Sequence, residues 1–265
     1  MSLRSNSTDR SVLNLIRVVA EREVLLQFRY PLNLAGILAT FLLVFSVIFF
    51  GGRAIAGQAM DESISGIVIG YFLWMMSTTA FMDIGQEIGK EAEWGTLERH
   101  FITPFSFGFV LFTKAALKLV VTAVLSLVML AIMLVLTGEQ LQFDALTIVP
   151  VVLFSLSSVF GVGFAIGGLS VLYKQVSNWM PLLQFAFAGL IAAPTTDFWL
   201  LRLLPLVQGS NMLQAAMKDG VRLWSFSATE IGLLVATGVG YLVVGYAFFT
   251  VCQRRARHLG VLGDY

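Results

Sequence analysis

Charge is what this sequence has least of. Only 12% of its 265 residues are Asp, Glu, Lys or Arg, about half the share usual in a soluble domain. Hydrophobic residues make up 57% and mean hydropathy is +0.84, which places the chain in the membrane class. The net charge is +1, so no basic field recruits nucleic acid. A single cysteine, Cys252, excludes an intrachain disulfide. Two histidines, His100 and His258, stand far apart. They build no Cys/His zinc site, and no metal is expected.

Catalytic signatures are missing too. Neither H-E-x-x-H nor G-x-S-x-G occurs. "GQEIGK" at 85–90 has the wrong spacing for a phosphate loop, no Ser or Thr after its lysine and no preceding strand. The centres of the third and sixth apolar stretches carry no ionisable side chain, which disfavours an ion-driven transporter. Neither histidine is near the centre of a span, so an intramembrane hydrolase lacks a base. No catalytic residue is expected. No cleavage pattern precedes Pro31, and the N-terminus is expected to be retained.

Long apolar runs are present instead. A bilayer-crossing helix needs about 20 mostly apolar residues. Spans are predicted at 31–51, 63–83, 115–137, 146–172, 179–196 and 229–252, the fifth short and interrupted by Pro181. The stretch 198–226 holds Arg202, Pro205, Gln208 and Asn211, so it reads as a re-entrant or interfacial pair of short helices. Over 8–30, Val12, Leu15, Ile16 and Val19 share one helix face. That pattern reads as an interfacial helix, either on the membrane surface or packed on the protein. The expectation is an all-α integral membrane fold in a single domain, 1–265, with six spans. "GVGFAIGG" offers a small-xxx-small step at Gly163 and Gly167 for close helix packing.

Lys and Arg set the orientation. With six spans both ends share a side; 13 of these residues fall on it and four on the other. Both termini and the loop after span two are therefore expected to face the cytoplasm.

That loop, 84–104, is the densest charge in the chain. Glu87, Glu91 and Glu98 fall within about 40° on a helical wheel. Trp94, Leu97 and Phe101 form a second stripe, Thr96 can cap a helix after Gly95, and Pro104 ends the element. Such a two-faced helix could meet both the membrane interface and a soluble partner. The alternative is a solvated loop whose charges keep it out of lipid. In span two, Tyr71, Trp74, Ser77 and Thr78 make a polar-aromatic strip, either a substrate route or a helix contact.

"EAEWGTLERHFITPFSFGFVLFTK" resembles the loop of the type-2 exporter permeases of ATP-binding-cassette transporters. Their pattern is an acidic run, G-T-L-E, then T-P or S-P before span three. Here it is Glu91, Glu93, Gly95, Thr96, Leu97, Glu98, Thr103 and Pro104. "RLLPLVQGSNMLQAAMKDG" is similar to the family's stretch before the last span, where a proline, here Pro205, introduces a helix dipping into the outer leaflet; Asn211 lies within it. "RHF" after Glu98 departs from the more aliphatic pattern of many relatives.

The resemblance implies a permease subunit in the plasma (cell inner) membrane, paired as a homodimer above two separate ATPase subunits. ATP and Mg would sit on those partners, with no cofactor in this chain. ATPase coupling would fall to Glu87, Glu91, Glu93, Trp94, Gly95, Thr96, Leu97, Glu98, Arg99, Phe101 and Pro104, with Tyr173 and Lys174 as a second contact. Spans one, two and five would border the pathway, adding Phe41, Phe45, Phe185 and Phe187 to the strip as lining, unless those rings face lipid. The cargo would be amphipathic or lipophilic, drug-like or lipid-like. The alternative is a polysaccharide or lipid-linked glycan; a self-sufficient transporter or channel ranks below both.

Overall fold

The computed structural model describes residues 21, 29, 31–57, 63–93, 107–173, 179–193 and 199–258. Among them the chain is all helical. The α-helices are α1 (Pro31–Ala56), α2 (Ile64–Glu93), α3 (Phe107–Thr137), α4 (Ala145–Leu172), α5 (Met180–Ile191), α6 (Val207–Lys218) and α7 (Ala228–His258). A short 3-10 turn, Trp199–Leu203, precedes α6. Apart from residues 21 and 29, the expected interfacial helix 8–30 lies outside the described residues.

Helix is what hydrocarbon demands, because every backbone donor is satisfied within the segment. Among the described residues five helices are long and apolar enough to cross a bilayer: α1, α2, α3, α4 and α7. The apolar α5 has 12 residues, about 18 Å against a hydrocarbon core of about 30 Å. Large apolar side chains point outward, among them Val120, Val124 and Val135 on α3 and Val243, Val244 and Val251 on α7. An exposed apolar surface of that extent suits a lipid solvent. The chain is a multi-pass membrane protein.

Helix α2 is the centre of the bundle. It packs on α3, α4, α5 and α6, whereas α1 touches α2 and α3 lightly. Ile69, Leu73, Met75 and Phe81 of α2 are fully buried.

The most extensive pairing is α4 with α7. Residues on both helices recur every seven positions: Phe154, Gly161 and Gly168 on α4, and Gly238, Gly245 and Cys252 on α7. A Cβ at Gly238 would lie 2.5 Å from the Phe154 carbonyl oxygen, and one at Gly168 would lie 3.0 Å from Phe249 Cα. A Cβ at Gly161 would strike the Tyr241 carbonyl, and one at Gly245 would strike the Gly161 carbonyl. The contacts advance in the same direction along both chains, so the helices run parallel. A seven-residue repeat is the period of a left-handed supercoil. Lipid offers no hydrophobic force between helices, so backbone approach through small residues supplies the attraction. Gly163 and Gly167, the sequence-predicted pair, are both buried in α4.

Because α4 and α7 are parallel, the chain between them must return to the end where α4 began. Helix α6 completes that return. It starts with Gly209 against Ser155, ten residues into α4, and finishes where the Gln142 N–H donates to the Met217 carbonyl at 2.8 Å. The turn into α6 follows Pro205 and passes through Leu206, whose φ of 69° is left-handed. A leucine there costs about 1–2 kcal/mol of backbone strain, offset by full packing of its side chain, 3% exposed.

Loop 138–144 ties this end together. The Ser65 hydroxyl donates to Glu139 Oε2 at 2.5 Å. The buried Thr147 hydroxyl donates to Asp144 Oδ2 at 2.7 Å and accepts from the Leu223 N–H at 2.8 Å. Ser227 and Glu230 form a reciprocal capping box at the start of α7. Thr147→Val keeps the shape but orphans both Thr147 partners. It is expected to cost about 1–2 kcal/mol, read as a lower melting temperature of the detergent-solubilised protein; an unchanged melting curve would show that these bonds do not hold the loop.

Candidate functional site

A cavity of about 740 Å³ opens between α1, α2, α5 and α6. Its walls include Val44 and Ile48 of α1, Ile67, Gly70, Tyr71 and Trp74 of α2, Phe185, Ala188 and Ile191 of α5, and Gln214 and Lys218 of α6. Ser63 and Gly66 complete the end near loop 138–144. The size and the mix of apolar wall with few polar groups are those of a ligand site.

Aromatic packing sets the wall. Tyr71 and Trp74 are three residues apart on α2 and so share a face. Phe41 meets both edge-on, with ring centroids 6.4 Å and 6.1 Å away. Phe45 stacks on Phe49 at 5.9 Å and meets Tyr71 at 5.4 Å. The polar tips of the two cavity aromatics find backbone partners, as buried Tyr and Trp require. Tyr71 Oη donates to the Phe41 carbonyl at 2.5 Å, tying α2 to α1. Trp74 Nε1 donates to the Gln184 carbonyl at 2.9 Å, tying α2 to α5. Ser210 Oγ donates to the Ile191 carbonyl at 2.8 Å, tying α6 to α5. A Cβ at Gly70 would come within 3.3 Å of Ile191, so glycine there keeps α5 close.

The structure divides the sequence-selected pathway residues. Tyr71, Trp74 and Phe185 line the cavity. Phe41 and Phe45 stand behind them in the aromatic cluster. Ser77 and Thr78 are buried, with no hydrogen-bond partner for either hydroxyl among the described residues. Phe187 is buried edge-on against Phe81, ring centroids 5.3 Å apart. The strip at 71, 74, 77 and 78 thus splits into a cavity face and a packing face. Of the two residues expected in a re-entrant segment, Pro205 is buried before Leu206, and Asn211 donates to the Val207 carbonyl at 2.7 Å. Sequence reading missed Val44, Ile48, Gln214 and Lys218. Only the placement of α6 beside α2 brings the last two into the wall.

The charged segment after span two is helical over its described residues and continuous with the span. No break separates the apolar helix from residues 84–93; α2 runs unbroken to Glu93. Its 30 residues extend about 45 Å, some 15 Å beyond a hydrocarbon core. Glu87, Glu91 and Glu93 therefore stand on the same rod as Tyr71 and Trp74. Trp94, Gly95, Thr96, Leu97, Glu98, Arg99, Phe101, Pro104 and Lys174 lie outside the described residues. Tyr173 is exposed at the C-cap of α4. Helices α2 and α4 both start at loop 138–144, so Glu93 and Tyr173 emerge together at the opposite end of the bundle.

The model of the family described as ABC-2 type transporter matches residues 14–218. The match spans most of the chain and ends on the last residue of α6. No curated protein matches it.

Proposed function

The chain belongs to the ABC-2 type transporter family, and on that premise we propose that it is the permease of an ATP-driven exporter. Members of the family are transport permeases and not themselves catalytic. In this reading two ATPase subunits carry ATP and Mg and dock at the Glu93 end of the bundle. Two copies of the chain pair in the plasma membrane with both termini in the cytoplasm. An amphipathic or lipophilic cargo leaves through the cavity bordered by α1, α2, α5 and α6, with residues 198–226 forming a re-entrant element of the outer leaflet.

One observation carries the reading: α2 is a single helix from the cavity wall to the acidic turns. A push on Glu87, Glu91 or Glu93 is transmitted along a continuous hydrogen-bonded rod to Tyr71 and Trp74. Those two side chains are bonded to α1 and α5, so tilting α2 repositions both walls. Moving a gate from 1:99 to 99:1 takes about 5.5 kcal/mol of differential binding. Exposed ion pairs supply only about 0–1 kcal/mol each, so the docking must also use apolar anchors.

The test is copurification from native membranes followed by reconstitution. A nucleotide-hydrolysing subunit is expected to copurify, and cargo efflux from vesicles is expected to require ATP. Transport by the purified chain alone would overturn the proposal. In the same assay Trp74→Ala is expected to cut efflux about tenfold or more, since it removes a cavity wall and the bond to α5. Unaltered efflux would remove this cavity from the pathway.

A further inference from the structure

The cavity is polarised along its length. At the end by loop 138–144 stand Ser63, Gln214 and Lys218; deeper in stand Val44, Tyr71, Trp74, Phe185 and Ala188. Trp74 is ten residues into α2, about 15 Å below its start. Among the described lining residues the polar side chains, with Lys218 the single charged one, stand at that end, and the deeper wall is aliphatic and aromatic.

The cation is available. Lys218 is exposed and has no acidic partner among the described residues. It is not needed to cap α6 either. The Met217 carbonyl already accepts from the Gln142 N–H, and the Ala215 carbonyl from the Asp219 and Val221 N–H groups. Of the two acids on the neighbouring loop, Glu139 accepts from the Ser65 hydroxyl and Asp144 from the Thr147 hydroxyl. Gln214 is held in the wall by its bond to Ser210 Oγ at 3.2 Å.

We infer that this cavity takes an acidic amphiphile, its carboxylate or phosphate head on Lys218 with Gln214 and Ser63 and its apolar tail along Tyr71, Trp74 and Phe185. The inference rests on the permease reading for its meaning as a cargo site. It adds the sign of the head group and the direction in which the molecule lies. Charge complementarity decides the sign, because a cationic head would meet the Lys218 ammonium. The tail decides the class, because an ion without a tail leaves the aromatic wall empty.

The experiment uses the full-length protein in phosphatidylcholine nanodiscs with a dibrominated stearate as probe, its bromines quenching tryptophan fluorescence. Saturable quenching is expected, with a component lost in Trp74→Phe. Lys218→Gln is expected to weaken stearate binding about fivefold, the upper end for an exposed charge pair, and Lys218→Arg to restore it. The methyl ester of the probe is expected to bind weakly and to be indifferent to Lys218→Gln. Acetate is expected to compete no better than chloride. Equal affinity of acid and ester, an unchanged constant in Lys218→Gln, or displacement of the probe by acetate would each overturn the inference. Binding and transport fail separately. Head-group selectivity without any copurifying ATPase leaves this site standing and removes the exporter. ATP-dependent efflux without selectivity does the reverse.

Discussion

Gly245→Leu is expected to leave almost no folded protein to extract, and Gly245→Ala to destabilise the bundle by about 3 kcal/mol or more. The Cβ of any residue at 245 would collide with the carbonyl oxygen of Gly161. That obstacle is backbone, which cannot swing aside as a side chain does. Relief requires α4 and α7 to separate. Gly161 and Gly238 then lose their contacts as well, because the three glycines share one seam. Overpacking alone costs about 1–3 kcal/mol, and separation adds the loss of the packing that holds helices together in lipid. Gly240 lies on the same helix with open space around it, so Gly240→Ala is expected to be neutral or to gain about 0.5–1 kcal/mol from reduced chain entropy. Thermal stability of the monodisperse peak in size-exclusion chromatography measures both. Equal melting of Gly245→Ala and Gly240→Ala would mean that the α4–α7 seam is not the keystone of the fold.

The second large effect belongs to the segment beyond α2. Trp94→Ala is expected to lower cargo-stimulated ATP turnover about tenfold or more, and Glu98→Ala about two- to fivefold, with membrane insertion intact in both. The order follows from magnitudes. A docked tryptophan buries about 150–250 Å², whereas an exposed carboxylate pair is worth at most about 1 kcal/mol. If the acidic face sets register and the aromatic stripe carries the load, truncating the ring must hurt more. ATP turnover that falls further in Glu98→Ala than in Trp94→Ala would reverse that division. Normal turnover in both variants would count against 84–104 as the coupling segment.

Much of this protein was legible from hydropathy. A run such as "LVVTAVLSLVMLAIMLVL" has one stable form in hydrocarbon, because only a helix satisfies its backbone there. The membrane class, the helical fold and the long apolar helices follow from that one-dimensional property. The G-T-L-E segment carried the family resemblance, and the family match agrees with it.

Lateral neighbours were not legible, because hydropathy says that a helix is in lipid but not which helix stands beside it. Gly163 and Gly167 drew attention through their four-residue step, yet the described collisions with α7 run through Gly161 and Gly168. Their seven-residue spacing matters only once α4 and α7 are known to be parallel. Lys218 and Gln214 read as polar residues on a short helix. They become cavity wall because α6 turns back at Leu206 and lies against α2. Residues 84–93 read as the start of a coupling helix region, one helix or two short ones meeting at Gly95; that they continue α2 without a break comes from the structure. What the sequence determined by itself is which segments are helices and that their solvent is lipid, since both depend on each residue's own transfer energy and backbone. What tertiary structure alone decided is which helices touch and where a cavity remains, since both depend on the fit of two surfaces distant in sequence.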